Sequence, residues 1–156
     1  MMKPAYALLG ALLMLPAVPA AADTPPAPAA KPVMITPSQL QWVSNPMLPA
    51  GTTMAIIDGD PTKAGWYTIR LHLPNGASFP PHFHSDTEYV TVLQGTLMVG
   101  IGDTVDASKM TALPAGSAVT VPAGVHHYAA ANGDTILQLT GQGPMTMTAV
   151  KGGGSM

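Results

Sequence analysis

The sequence predicts an all-β protein, a single sandwich or barrel of short strands. Three observations carry this. Seventeen Pro and 16 Gly are spread along a 156-residue chain that is 47% apolar, which leaves little room for long helices. Beyond Leu40 the apolar residues alternate, or form short runs between Gly, Pro, Asn and Asp turns, which is the strand pattern. Eight or nine such segments follow at the spacing of sandwiches and barrels. The length suits one domain with one core.

Residues 1–22 read as a secretory signal peptide. Lys3 gives the positive start, Tyr6 to Leu15 the apolar run, and Ala20-Ala21-Ala22 a cleavage site before Asp23. The run is too short for a permanent anchor, and no basic stop-transfer flank follows it. With no twin arginine, the general secretory route is expected. The mature protein is then periplasmic or secreted, with no membrane attachment after cleavage. Residues 23–35 form a Pro/Ala-rich linker that stays extended, residues 36–150 the domain, and residues 151–156 a flexible Gly-rich tail.

Within the domain, Thr36-Pro37-Ser38-Gln39-Leu40 opens a short helical turn. Strands are expected near Thr53–Asp58, Trp66–Leu73, Phe79–His84, Glu88–Gln94, Thr96–Ile101, Ala118–Val121, His127–Ala131, Thr135–Thr140 and Thr146–Val150. Their separators include Asp58-Gly59-Asp60-Pro61, Pro74-Asn75-Gly76, Gln94-Gly95 and Asn132-Gly133-Asp134. Asp106 to Leu113 is the one segment with helical spacing. Met54, Met98, Met110, Met145 and Met147 are scattered over different segments and read as core filler rather than a soft copper site. Trp42 and Trp66 read as packing residues.

Charge and cysteine count narrow the function. Only 9% of residues are charged and the formal net charge is -2, so no basic stripe exists to track nucleic acid. The chain has no cysteine, which removes disulfides, thiolate metal sites, a nucleophilic thiol and a lipoprotein anchor.

The chemistry concentrates in the histidines. Four of the five lie in two short segments, Pro80-Pro81-His82-Phe83-His84 and Val121-Pro122-Ala123-Gly124-Val125-His126-His127. His82 and His84 share a strand face with Cα atoms roughly 6.5–7 Å apart, so both imidazoles can converge on one metal. Glu88, the only glutamate, would lie about 13 Å beyond His84 on a straight strand. Ser85-Asp86-Thr87 must therefore bend the chain and return Glu88 on a new strand beside the first, Asp86 being a solvated turn residue.

These two segments resemble the paired motifs of the cupin superfamily. Gly76, His82, His84, Glu88 and Gly95 satisfy the first motif at every position. Gly116, Pro122-Ala123-Gly124 and His127 satisfy the second, except that its closing Asn falls on Ala131, with Asn132 one place late. The chain further resembles small secreted single-domain metal-binding cupins through Pro80-Pro81-His82-x-His84, Thr91-Val92-Leu93, Gly95-Thr96 and Gly141-Gln142-Gly143-Pro144. The resemblance implies a jelly-roll β-barrel, commonly a homodimer, with one metal in its mouth held by His82, His84, Glu88 and His127.

That donor set suits a divalent Mn, Fe, Co, Ni, Cu or Zn and leaves positions open for water or a substrate. A barrel that lost its metal would keep the histidines as polar filler. A metallo-β-lactamase-like zinc motif, begun by His82-x-His84-x-Asp86, fails at Thr87. His126 points away from His127 on a regular strand. Arg70 and His72 share a face of their strand: an exposed or interface face, or a lumen face that would make Arg70 an anion clamp. Tyr89, Tyr128 and Gln138 are weaker pocket candidates. The expected function is metal-dependent enzymology on a small molecule. Dioxygenase-type chemistry leads by family analogy, and Glu88 is the candidate catalytic base. The alternative is a non-catalytic barrel that binds or senses a metal or small molecule.

Overall fold

A computed structural model describes residues 31–152, and the unit holding every described strand begins at Val33. The expected signal peptide, most of the linker and the last four residues of the tail lie outside the described residues. Thr36–Leu40 forms the expected turn as a 3-10 segment, Pro37–Gln39, with Gln39 Oε1 accepting the Thr36 N–H at 2.8 Å. Then come β1 (Val43–Ser44), β2 (Thr53–Asp58), β3 (Gly65–Leu73), β4 (Ser78–Phe83), β5 (Glu88–Ile101), β6 (Thr111–Pro114), β7 (Ala118–Val121), β8 (His127–Gly143) and β9 (Thr148–Ala149). No α-helix occurs among the described residues.

Two long strands replace four expected short ones. The turn residues Gly95 and Gly133 are where β5 and β8 bend rather than stop. On one side of the bend the register runs from Tyr89↔Thr140 to Val92↔Leu137, and on the other from Thr96↔Asn132 to Ile101↔His127. Gly95 adopts φ 73° and Gly133 φ 84°, and a Cβ on Gly95 would overlap the Asp134 backbone. Only glycine meets both demands at position 95. Thr135, fully buried, faces the Thr96 and Gly133 carbonyls with its hydroxyl at 3.3 and 3.1 Å, pinning the corner.

The bend makes one curled sheet serve as two walls. One wall runs β1-β2-β3, then the C-terminal half of β8, the N-terminal half of β5, and β7; the other runs β9-β4, then the N-terminal half of β8, the C-terminal half of β5, and β6. Alternation sends Ile69, Leu71, Val90, Val92, Leu137 and Leu139 inward from the first wall, to meet Phe79, Leu97, Val99 and Ala129 from the second. This is the jelly-roll barrel expected.

Some local details depart from expectation. Asp106–Leu113 holds only the 3-10 turn Ala107–Lys109 and then β6, because the open edge of β5 takes Thr111–Pro114 into its ladder. β1, two residues long, carries too little pattern to be read. Trp66 is 63% exposed, since Tyr67, Ile69, Leu71 and Leu73 take the inward positions of β3. Of the methionines, Met54 is core and Met145 packs against it, whereas Met147 is exposed. Trp42 stands at the surface, edge-on to His72 at 6.0 Å.

Tyr128 points to the outer face of β8 yet is almost wholly buried. It lies across Gly100, its ladder partner, and its hydroxyl accepts the Asp106 N–H at 3.1 Å and faces the Asp106 carbonyl at 3.2 Å. A Cβ on Gly100 would overlap the ring. Gly100→Ala should therefore destabilise the protein by about 1–3 kcal/mol through overpacking. Urea unfolding checks this, and a loss well under that range would mean the ring is free to move aside.

Candidate metal centre

The strand carrying His82 and His84 is not regular, and that irregularity aims them. Phe79 pairs with Ala129 and points inward, so strict alternation would turn position 83 inward too. Between Phe79 and His82 the register slips against β8, at Pro80-Pro81. Prolines donate nothing to a ladder and are confined to such breaks. The slip is a bulge that transfers the inward direction to His82 and His84. Phe83 instead turns outward and stacks on His126, with ring centroids 4.9 Å apart. His82 comes to face His127 directly across the ladder.

Each of the three histidines has Nδ1 against a backbone carbonyl. His82 reaches Pro80 O at 2.7 Å, His127 reaches Val125 O at 3.1 Å, and His84 reaches Thr146 O. A carbonyl only accepts, so Nδ1 carries the proton and Nε2 keeps its lone pair. One donor atom from each ring falls in a group whose members lie within 4.8 Å of one another. His84 Nε2 is buried with no hydrogen-bond partner. An orphaned buried acceptor is costly unless something electron-poor meets it, so the donors fit a metal ion.

Glu88 arrives from the opposite wall. Ser85-Asp86-Thr87 does bend the chain, but no ladder joins β4 and β5 among the described residues. The turn carries the chain from one wall to the other, so Glu88 faces β4 across the interior instead of lying beside it. Its Oε2 stands 3.7 Å from His84 Nε2 and 3.8 Å from His127 Nε2. It flanks the three-histidine group without being a member of it at 4.8 Å. Three imidazoles and one carboxylate are the set that the motifs singled out, and the fold brings all four to one place.

The second motif keeps its register. Gly124 turns at φ 74° and donates its N–H to His84 O at 2.9 Å, tying the two motifs together. His127 faces the interior. His126 faces outward, its Nδ1 2.7 Å from Asp103 Oδ1. The Asn shifted to position 132 does not disturb this, because β8 is continuous through that point.

The weaker candidates lie elsewhere. Arg70 is on the outer face, donating from Nε to Gln138 Oε1 at 3.2 Å, so the anion-clamp reading is overturned. His72 pairs with Asp134 at 2.8 Å at the protein surface. Tyr89 is exposed, and Tyr128 is sealed behind β8. Asp86 is an exposed turn residue.

Two contributors escaped sequence reasoning. One is the Thr146 carbonyl, which no side-chain motif can report. The other is Tyr67, inward-facing and buried beside Glu88, whose hydroxyl is pushed up to about 12 by burial, then by the charges of Glu88 and Asp86. Its signal was its parity with Ile69 and Leu71, and Gly141 as ladder partner, where a Cβ would press on the ring. Beyond the histidines opens a cavity of about 430 Å³, walled by aliphatic side chains of both sheets.

Burial dominates the electrostatics. It pulls His82 down to about 4, against the opposing pull of the Pro80 carbonyl and with small further lowering by His127 and His84. His127 is lowered for the same first reason. Glu88 is raised by burial, with His84 opposing. In the metal-free protein, His82 is bound to stay neutral while the unfolded chain takes up a proton below pH 6.5. Its contribution to stability is present above that pH and lost as pH falls toward 4; Glu88 acts in the opposite sense above its ordinary value. Chelator-treated wild type should thus lose about 2 kcal/mol more than His82→Asn between pH 7 and pH 5. Parallel urea titrations measure this, and equal losses would contradict the burial of a neutral His82.

The family model for the cupin domain matches residues 69–142. Germin-like protein 5-1 of Oryza sativa subsp. japonica is 40% identical over 67 residues, 42% of this chain; the match spans only 30% of the rice protein's length. Among solved structures, a putative acetylacetone dioxygenase from Methylibium petroleiphilum PM1 superposes with a TM-score of 0.65 at 18% identity, covering 83% of this chain and 89% of that one. An RmlC-like cupin from Shewanella frigidimarina NCIMB 400 gives 0.57 at 20% identity, covering 72% and 91%. At those identities the likeness is one of fold. With the family's motifs, its domain model over residues 69–142 and its barrel all present in one chain, this protein carries a cupin domain.

Proposed function

We propose that the barrel holds one divalent transition metal through His82, His84, His127 and Glu88 and uses it on a small molecule in the cavity. The observation that carries this is the set of three Nε2 lone pairs, each aimed by its own carbonyl, with that of His84 buried and unpartnered. Bound there, Mn, Fe, Co, Ni, Cu or Zn supplies Lewis acidity, and the redox-active members supply oxygen chemistry. The chain's own part is to fix the donors and to exclude water by aliphatic walls. In the metal-free chain burial raises Glu88 toward the neutral form, so a Glu88 released from the ion would be the group to take a proton from a bound molecule. Dioxygenase-type chemistry is the leading reaction, supported by the barrel's likeness to the putative acetylacetone dioxygenase from Methylibium petroleiphilum PM1.

A second reading, a non-catalytic binding or sensing barrel, is favoured by one observation. Beyond the four proposed ligands, no acid or base lines the cavity among the described residues. Oxygen uptake by the metal-loaded protein over a panel of small ketones and phenols separates the two.

Periplasmic or secreted location and a homodimer complete the proposal, the first resting on the Lys3, apolar-run and Ala20–Ala22 pattern. Native protein should begin at or near Asp23 by N-terminal sequencing. An intact Met1 on the membrane-bound form would refute the processing.

The metal assignment is tested by paired titrations at neutral pH. His127→Ala and His84→Ala should each weaken binding at least about tenfold, while His126→Ala changes it by no more than about threefold. Loss of the metal from His126→Ala alone would place the second motif in the other register.

A further inference from the structure

The cavity's lining is more selective than the metal site alone. Apart from Asn45 and Thr62, its polar side chains are the three histidines and Glu88, all at one end. No Lys or Arg lines it among the described residues. Arg70 is turned outward onto Gln138, while Lys63 and Lys109 are paired with Asp60 and Asp106 at the surface. A phosphate or a carboxylate in the body of the cavity would lose water and find no cation in return, with only Asn45 and Thr62 as polar partners.

The shape is just as specific. Along the inner face of β8, His127 is followed by Ala129. Its ladder partners are Phe79 on β4 and Val99 on β5, and all three line the cavity. A small residue between two larger ones leaves a slot one row below the histidines. Ile69, Leu71, Leu137 and Leu139 form the facing wall.

We propose that this cavity takes a compact neutral molecule with an apolar ring or branched body. The body lies in the slot over Ala129, between Phe79 and Val99, and a single oxygen-bearing end reaches the histidines. Ala129 is the residue that sets the permitted width. Only the placement of the oxygen end rests on the metal reading; seating of the body does not.

The test uses the full chain stripped of metal by chelator, with 1-naphthol and 1-naphthyl phosphate as probes of equal body and different charge. Fluorescence titration should show one 1-naphthol site per chain, bound at least about tenfold more tightly than the phosphate, which must leave water without a cationic partner. Ala129→Leu and, separately, Val99→Leu should each weaken 1-naphthol at least about tenfold by filling the slot. Neither should lower the thermal midpoint, because the added methylenes enter empty space.

Absence of 1-naphthol binding, phosphate binding within about threefold of it, or unchanged 1-naphthol affinity in both variants would overturn the proposal. Metal titration of the same two variants keeps the questions apart. Retained metal with lost 1-naphthol supports the slot, whereas a wild type that binds 1-naphthol but no metal leaves the slot standing and removes the metal reading.

Discussion

The ladder between β5 and β8 joins the two longest strands from Tyr89↔Thr140 to Ile101↔His127 and folds over on itself at Gly95 and Gly133. Glu88 opens β5 at one end of that ladder, and His127 opens β8 at the other, opposite Ile101. On a flat sheet the thirteen steps from Glu88 to Ile101 would separate those ends by roughly 43 Å. In the folded chain Glu88 Oε2 stands 3.8 Å from His127 Nε2. The corner thus creates the interior and also makes its two ends meet. β4 then needs only its bulge at Pro80-Pro81 to present His82 and His84 to the same point.

The site is oriented by main chain. All three imidazoles are fixed by carbonyls that the ladders leave free: one at a proline bulge, one in a turn, one in the loop before β9. Such partners cannot be lost by a side-chain substitution, and they do not titrate. They hold the rings oriented, with Nε2 turned inward, before any ion arrives, which lowers the ordering cost of binding. Glu88 differs. It has no carbonyl to answer to, it is buried, and its charge is answered chiefly by His84.

The sequence disclosed the site more fully than the path of the chain. His82, His84, Glu88 and His127 were legible because their spacing is tied to turns that glycine and proline mark. The bends at Gly95 and Gly133 were read as ends because the same residues stop strands elsewhere; only the partner's register tells a corner from a terminus. β6 was hidden because an edge strand is chosen by the open ladder beside it as much as by its own residues. Arg70 was ambiguous by parity until Ile69 and Leu71 were seen to face inward. The cavity could not be read at all, since void space is a property of how Ala129, Phe79 and Val99 face each other across three strands.

The segment from Pro144 to Met147 plays two parts at once. Met145 and Met147 line the cavity, and the carbonyl of Thr146 between them grips His84, with the Thr146 hydroxyl also held to Ser85. A cavity occupant that displaced the backbone of this segment would also move the carbonyl that orients His84. Occupancy of the cavity and affinity for an ion at the histidines would then be thermodynamically linked, and reciprocally: whatever factor one changed in the other would be returned in full.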